Sequence, residues 1–215
     1  MFYVCPRAVS KKECEKHLEY CIKNTNFREA TVMNKGEHDV DSDNQGRNDP
    51  SIRKTDIGFI EPGSKVDSIS SDDNQVNELA WHFLELANKK LFNYKINSFQ
   101  PVQFARYRDG GHYGWHQDST DIRPNGETRK LSLTFSLSDP KTYEGGELQF
   151  YSGDRPMADL KLSDGTIVSG ENIVKDIREQ GSVVVFDSRD WHRVIPVTRG
   201  TRYSIVCWSV GPNFV

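Results

Sequence analysis

The 215-residue sequence has no apolar run near the ~20 residues that a membrane-spanning helix needs. Its first dozen residues carry neither an apolar core segment nor a small-residue cleavage site, so a signal peptide is not expected. Neither sign of charge dominates, since 28 Lys+Arg face 31 Asp+Glu for a net charge of −3. That balance gives no electrostatic reason to expect nucleic acid or an anionic membrane as partner. Cysteine is scarce, and Cys5, Cys14, Cys21 and Cys207 form no Cys-x-x-Cys pair. Cys14 and Cys21 would lie roughly 10 Å apart along one helix, too far for a disulfide. Free thiols in a reducing, cytoplasmic setting are the expectation. Apolar residues are also modest at 35%, yet 11% aromatic content and Val/Ile-rich runs argue against a disordered chain.

What is present divides at about residue 98. Phe2–Val4 is a short apolar start, and Ser10-Lys-Lys-Glu13 has the spacing of a capping box. Cys14, Leu18, Cys21 and Ile22 would form the apolar stripe of the helix that follows. Residues 34–51 are polar and without period, which predicts a loop, and Ile52–Ile60 reads as a strand. A second helix follows, capped by Ser71 or Asp72, with Val76, Leu79, Ala80, Phe83, Leu84, Ala87 and Leu91 facing the core. His17 and His38 are expected at the surface, and His82 at the surface or in packing.

From Phe99 onward strand patterns recur: Phe99–Arg108, Leu131–Leu137, Glu147–Tyr151, Ser182–Asp187, His192–Val197 and Arg202–Val210. Gly110-Gly111, Pro124-Asn125-Gly126, Gly145-Gly146 and Arg199-Gly200 supply turns between them. The pattern predicts one mainly β (α+β) domain over 1–215. Residues 1–98 are its supporting N-terminal part, 99–211 a β-sandwich or jelly-roll core, and 154–180 an insertion. Leu131, Leu133, Phe135 and Leu137 alternate with Ser132, Thr134, Ser136 and Ser138. One face can therefore pack under the helices while the other lines a cavity.

His116-Gln-Asp118 puts an imidazole and a carboxylate on the same side of an extended chain. His192 opens a later strand and can complete a set of two histidines and one carboxylate. Such a facial set leaves coordination positions open and suits non-haem Fe(II), whereas structural Zn(II) favours closed tetrahedral sites. Asp190 is a rival carboxylate, and Asp118 is preferred. Arg202 follows a tight turn expected at Thr198–Thr201 and shares a strand face with Ser204, Val206 and Trp208. A guanidinium on that face calls for an anion such as a dicarboxylate cosubstrate.

Tyr107-Arg-Asp-Gly-Gly-His-Tyr-Gly-Trp-His-Gln-Asp118, Leu137-Ser-Asp-Pro140, Gly145-Gly-Glu-Leu148, His192-Arg-Val-Ile-Pro-Val197 and Arg202-Tyr-Ser204 together resemble the Fe(II)/2-oxoglutarate-dependent dioxygenases. The nearest likeness is to the prolyl 4-hydroxylase-like branch, including PKHD-type hydroxylases. Asp49–Ile57 also resembles an N-terminal segment of that branch. The resemblance implies a double-stranded β-helix (a jelly-roll, cupin-like fold) backed by N-terminal helices. It implies Fe(II) held by His116, Asp118 and His192, and 2-oxoglutarate anchored through its far carboxylate by Arg202 and Tyr107. Ser136 and Ser204 would contribute further to that pocket. Ser136 and Val206 stand where the oxygen-sensing prolyl hydroxylases have Tyr and Thr. O₂ would be consumed, succinate and CO₂ released, and a C–H bond hydroxylated, with ascorbate (vitamin C) as reductant.

Arg129, within Pro124–Arg129, and Trp208 fall where those enzymes contact substrate, which implies a proline-containing peptide or protein partner. Arg129 shares parity with the apolar face Leu131–Leu137, so it reaches the pocket only if the strand start bends. His112 and Trp115 are expected to pack, and the loops 34–51 and 154–180 to close over substrate. A free amino acid or other small molecule is the alternative substrate, and a metal-binding β-helix module without turnover is the alternative of another class. A zinc hydrolase lacks a candidate general base beside the His-x-Asp pair.

Overall fold

The computed structural model describes residues 2–32, 48–60, 71–119, 126–151, 160–161, 167–168 and 177–214, and at 71–74, 160–161 and 167–168 the backbone alone. The expected helix caps Ser71 and Asp72 as side chains, Pro124, Asn125, His38 and most of the loops 34–51 and 154–180 lie outside the described residues.

In chain order the elements are β1 (Phe2–Cys5), α1 (Lys11–Asn24), β2 (Arg28–Glu29), β3 (Arg53–Lys54), β4 (Asp56–Ile60), α2 (Ser71–Ala87), β5 (Ser98–Phe99), β6 (Val102–Arg108) and β7 (His112–His116). There follow β8 (Glu127–Ser136), β9 (Tyr143–Gly145), β10 (Leu148–Phe150), β11 (Leu160–Lys161), β12 (Ile167–Val168), β13 (Val183–Asp187), β14 (His192–Val194) and β15 (Val197–Pro212). The capping box starts α1 as its spacing requires. Ser10 Oγ accepts from the Glu13 amide at 3.3 Å and the Glu13 carboxylate accepts from the Ser10 amide at 3.0 Å. The buried face of α1 is narrower than the stripe predicts: Cys14, His17 and Cys21 are buried while Ile22 is 46% exposed. His17 is thus corrected from surface to core, because i, i+3 and i+7 line one helix face.

Two antiparallel sheets make the jelly roll. The larger runs β1-β13-β8-β15-β6-β4-β2, with β5 and β9 paired to β15, and the smaller runs β10-β14-β7-β3. The alternation along β8 and β13 sorts side chains between two cores. Leu131, Leu133, Phe135, Val183 and Val185 pack with Cys14, Cys21, Val76 and Leu84 of the helices. Val184 and Phe186 point the other way, into the space between the sheets, with Phe150, Val194 and Tyr107. The polar face of β8 lies on that inner side, as its Ser/Thr pattern predicts.

Three expectations change. The strand expected at Ile52–Ile60 is two strands in different sheets, because β3 pairs with β7 while β4 pairs with β6. Phe99–Arg108 is interrupted at Gln100-Pro101, where proline removes a ladder donor. The turn expected at Thr198–Thr201 does not form. The chain stays extended as β15 crosses from β9 to β6, and Gly200 at φ +74° takes the kink, its missing Cβ leaving room for Thr142 O.

Among the described residues no helix is long and apolar enough to cross a membrane. Leu84 is fully buried between α2 and the larger sheet. Leu84→Ala should lower the unfolding free energy by about 2–5 kcal/mol, read as a fall in urea midpoint. Ile22→Ala, at an exposed position of the expected stripe, should shift it by no more than about 0.5 kcal/mol.

Candidate metal centre

The end of β7, the start of β14 and the turn between β13 and β14 converge between the sheets. There one ligand atom each from His116, Asp118 and His192 all lie within 4.8 Å of one another. His116 Nε2 is 3.6 Å from Asp118 Oδ1, and His192 Nε2 is 3.5 Å from Asp118 Oδ2. The other nitrogen of each ring is spoken for by backbone. His116 Nδ1 lies 2.8 Å from Gly114 O and His192 Nδ1 lies 2.9 Å from Asp190 O. A carbonyl only accepts, so both Nδ1 atoms carry the proton and both Nε2 lone pairs face the carboxylate. Two imidazole nitrogens and one carboxylate oxygen in mutual reach fit a first-row dication, and three ligands leave coordination positions to spare.

Asp118 is 8% exposed at its side chain and would be costly there without partners. Ser132 Oγ donates to its Oδ2 at 2.7 Å, and Ser188 Oγ lies 2.9 Å from Ser132 Oγ. The Asp118 amide donates to Ser188 O at 2.9 Å. Burial alone would raise this carboxyl, but the His192 and His116 imidazoles and the Arg129 guanidinium outweigh it and hold the group well below the usual carboxylate range. Burial pushes His192 down to about 4, against the pull of the Asp118 carboxylate. Near neutral pH the pair is therefore an anion and a neutral imidazole, the protonation state that binds metal.

The turn after β13 organises much of this. Asp187 accepts from Tyr94 Oη at 2.6 Å and from Arg189 Nε at 2.9 Å, and Arg189 lies 3.8 Å from the Phe214 ring centroid. Arg189 O accepts from the Gln117 side chain, in the segment that carries His116 and Asp118. Asp190, the rival carboxylate, enters as the backbone acceptor for His192 and is not part of the cluster.

Arg202 projects from β15 and is 4% exposed. Its Nη1 donates to Ser204 Oγ at 3.2 Å, its Cζ lies 5.3 Å from the Tyr107 ring centroid, and no carboxylate of the described residues pairs with it. Tyr107 is 3% exposed, and its hydroxyl meets no partner among the described residues. A small cavity beside Arg202 is also lined by Ser136, whose Oγ donates to Ile177 O at 2.9 Å.

Two bulges place residues that strict alternation would misplace. Between β15 and β8 the register passes from Ser209↔Leu131 to Val210↔Arg129, leaving Lys130 unpaired. Arg129 thereby turns to the Trp208 side, its Cζ 3.9 Å from the indole centroid and its Nη1 3.3 Å from Asp118 O. Between β14 and β7 the register passes from His192↔His116 to Val194↔Tyr113. The extra residue brings Tyr113 onto the face of His116, and the two rings stack at 3.5 Å between centroids. Arg53 covers the far side of Tyr113 at 4.3 Å. Sequence reasoning assigned no role to Tyr113, Arg53, Ser132 or Ser188. Only the Ser/Thr alternation of β8 signalled one of them. His112 is half-buried, whereas Trp115 is 38% exposed on the outer face beside Tyr151, which corrects the expectation that it packs inside.

A model of the 2OG-Fe(II) oxygenase superfamily matches residues 102–210. A PKHD-type hydroxylase of Maricaulis maris is 33% identical over 149 residues, covering 69% of this chain and 56% of the relative. One of Teredinibacter turnerae is 36% identical over 111 residues, covering 50% and 42%. The chain thus spans about half the length of the curated relatives it matches. Among solved structures, a Pseudomonas putida prolyl-4-hydroxylase superposes with a TM-score of 0.63 at 22% identity, over 97% of this chain and 91% of the other. A Trichoplax adhaerens prolyl hydroxylase, in complex with a hypoxia inducible factor oxygen degradation domain peptide fragment, gives 0.63 at 17% identity over 97% and 82%.

The buried imidazole has a consequence for the metal-free protein. Unfolded, His192 takes a proton near its ordinary value of ~6.5, whereas folded it resists until about 4. The unfolded state binds more protons in that window, so stability should fall as pH drops from ~6.5 toward 4. The melting temperature without metal should be lower at pH 5 than at pH 7, and His192→Asn should flatten the slope. Equal slopes for the two proteins would contradict the assignment.

Proposed function

The chain belongs to the 2OG-Fe(II) oxygenase superfamily, and on that premise we propose that it is an Fe(II)- and 2-oxoglutarate-dependent dioxygenase that hydroxylates prolyl residues of a peptide or protein. The observation that carries the reading is a two-histidine, one-carboxylate cluster in the same fold as a buried arginine that pairs with no carboxylate among the described residues. A metal-binding module without turnover needs the first and has no use for the second.

In this reading His116 Nε2, an Asp118 oxygen and His192 Nε2 hold Fe(II). The bound iron and 2-oxoglutarate supply the oxidising chemistry: O₂ is split between the product hydroxyl and succinate, with loss of CO₂. The protein's own part is binding, orientation and exclusion of water. Ser132 and the Ser188 main chain keep the Asp118 carboxylate ionised and aimed. Arg202 pairs with the far carboxylate of 2-oxoglutarate, Ser204 steadies the guanidinium, and the free Tyr107 hydroxyl donates to the same carboxylate. Ser136 faces the same cavity with its hydroxyl already donated to Ile177 O, so its part is to shape the wall.

Arg129 and Trp208 form the substrate side. Arg129 is anchored by Gln100 Oε1 at 2.8 Å and lies over the Trp208 indole, so the guanidinium backed by the indole is the group that would meet the peptide. The Trp208 Nε1–H is buried with no partner among the described residues and can donate to a peptide carbonyl. Tyr113, held between His116 and Arg53, would keep the His116 ring in place. The fold shared with a prolyl hydroxylase seen with a peptide supports a peptide over a small molecule. Ascorbate as reductant and a cytoplasmic setting belong to the same proposal.

The test is succinate formation from 2-oxoglutarate with Fe(II), ascorbate and O₂, in the presence of proline-containing peptides read for one added oxygen. Native protein should give both products, and Asp118→Ala should bind no iron and give neither. Succinate without peptide oxidation would redirect the search to small molecules. Iron bound without succinate in any mixture would leave the metal-binding module standing. Retained activity in Asp118→Ala would move the carboxylate role to Asp190.

A further inference from the structure

The cavity beside Arg202 contains an ion pair that the proposed reaction does not use. Arg178 and Glu147 line it together with Arg202, Tyr143 and Gly146. Arg178 is bound to one short stretch of chain. Its Nη2 donates to Tyr143 O at 2.9 Å, its Nη1 to Gly145 O at 3.1 Å and to Glu147 Oε1, and its Cζ lies 4.5 Å from the Tyr143 ring centroid. The second Glu147 oxygen, Oε2, is buried with no hydrogen-bond partner. Among the described lining residues Glu147 is the one carboxylate, and Arg178 and Arg202 are the two cations.

Glu147 follows Gly146, and both line the cavity with Arg202. Gly146, at φ +71°, packs against the arginine stem so closely that a Cβ there would sit 2.9 Å from Arg202 Cδ. The Glu147 side chain is half-buried, and among the described lining residues its possible cationic partners are these two guanidinium groups. Arg178 holds it, so Arg202 keeps its fork free. Among the described lining residues two cations face one anion, and the excess of one positive charge matches one incoming carboxylate.

We propose that Arg178 is a positioning residue for cosubstrate binding: by holding Glu147 it keeps that carboxylate from closing onto Arg202, and so keeps the Arg202 fork open to the far carboxylate of 2-oxoglutarate. This rests on the reading of Arg202 given above. Without Arg178, Glu147 becomes an internal competitor for the same guanidinium. The effect is one of charge, which separates it from a packing role for the same side chain.

The experiment is calorimetric titration of 2-oxoglutarate into the Mn(II)-loaded protein, with melting temperature read in parallel. Arg178→Ala should weaken 2-oxoglutarate by about tenfold or more, because the freed carboxylate must be displaced first. Arg178→Gln, which keeps donors for the Tyr143 and Gly145 carbonyls but no charge, should weaken it similarly and covers the case in which the alanine variant does not fold. Adding Glu147→Gln to either should restore binding to within about threefold of native, since a neutral amide has no charge to seek Arg202. Native-like binding in both single variants, or no recovery in the double variants, would overturn the proposal and leave Arg178 as packing. Arg202→Ala should lose binding in every background. Its retention would instead overturn the cosubstrate reading of the cavity.

Discussion

A carboxylate that must remain charged where water does not reach is the constraint on which the rest of this structure turns. Asp118 meets it with a hydroxyl from β8, main-chain groups from the turn after β13 and imidazoles from β7 and β14. These segments are far apart in sequence, and the two sheets of the jelly roll bring them to one point. The turn at Asp187–Trp191 is the busiest of them. It gives Ser188 to Asp118, Asp190 to His192 and Arg189 to Gln117, and it is pinned from outside by Tyr94 and Phe214. Tyr94 is set in place in turn by Asn88, whose side chain bonds both the amide and the carbonyl of Tyr94 where α2 ends in a π turn.

Much of this was legible in the residues. The alternation of β8 announced a polar inner face, and Ser132 and Ser136 lie on it beside Asp118 and Arg202. The His-x-Asp spacing and the strand opened by His192 pointed to three residues that the fold does bring together, and the arginine read on a small, apolar face is buried beside a cavity of its own. The capping box of α1 and the core stripe of α2 were readable because they obey a single local period, whereas Leu91, expected in that stripe, is 37% exposed because the π turn after Ala87 breaks the period.

What was not legible breaks a period. Arg129 and Tyr113 reach the inner space only because Lys130 and the Gly114–Trp115 step are bulged, and a bulge shifts parity for everything beyond it. The Arg199-Gly200 pair reads as a turn, yet a glycine at positive φ also serves a strand that kinks while changing partners. His17 reads as a surface residue because histidine usually is one, and only the packing of α1 puts it inside. The split between β3 and β4 is a matter of sheet membership, which no local pattern encodes.

The main-chain carbonyls of Gly114 and Asp190 fix both imidazoles before any ligand arrives. Loading therefore needs no tautomer exchange and little ring rotation, so the site is as ready for one first-row dication as for another. Affinity at such a pre-set nitrogen and oxygen cluster rises toward copper and exceeds that for iron in nickel and zinc as well. A chemistry that needs iron then depends on which ions the surroundings supply, and the selectivity that the fold does not build must be exercised outside it.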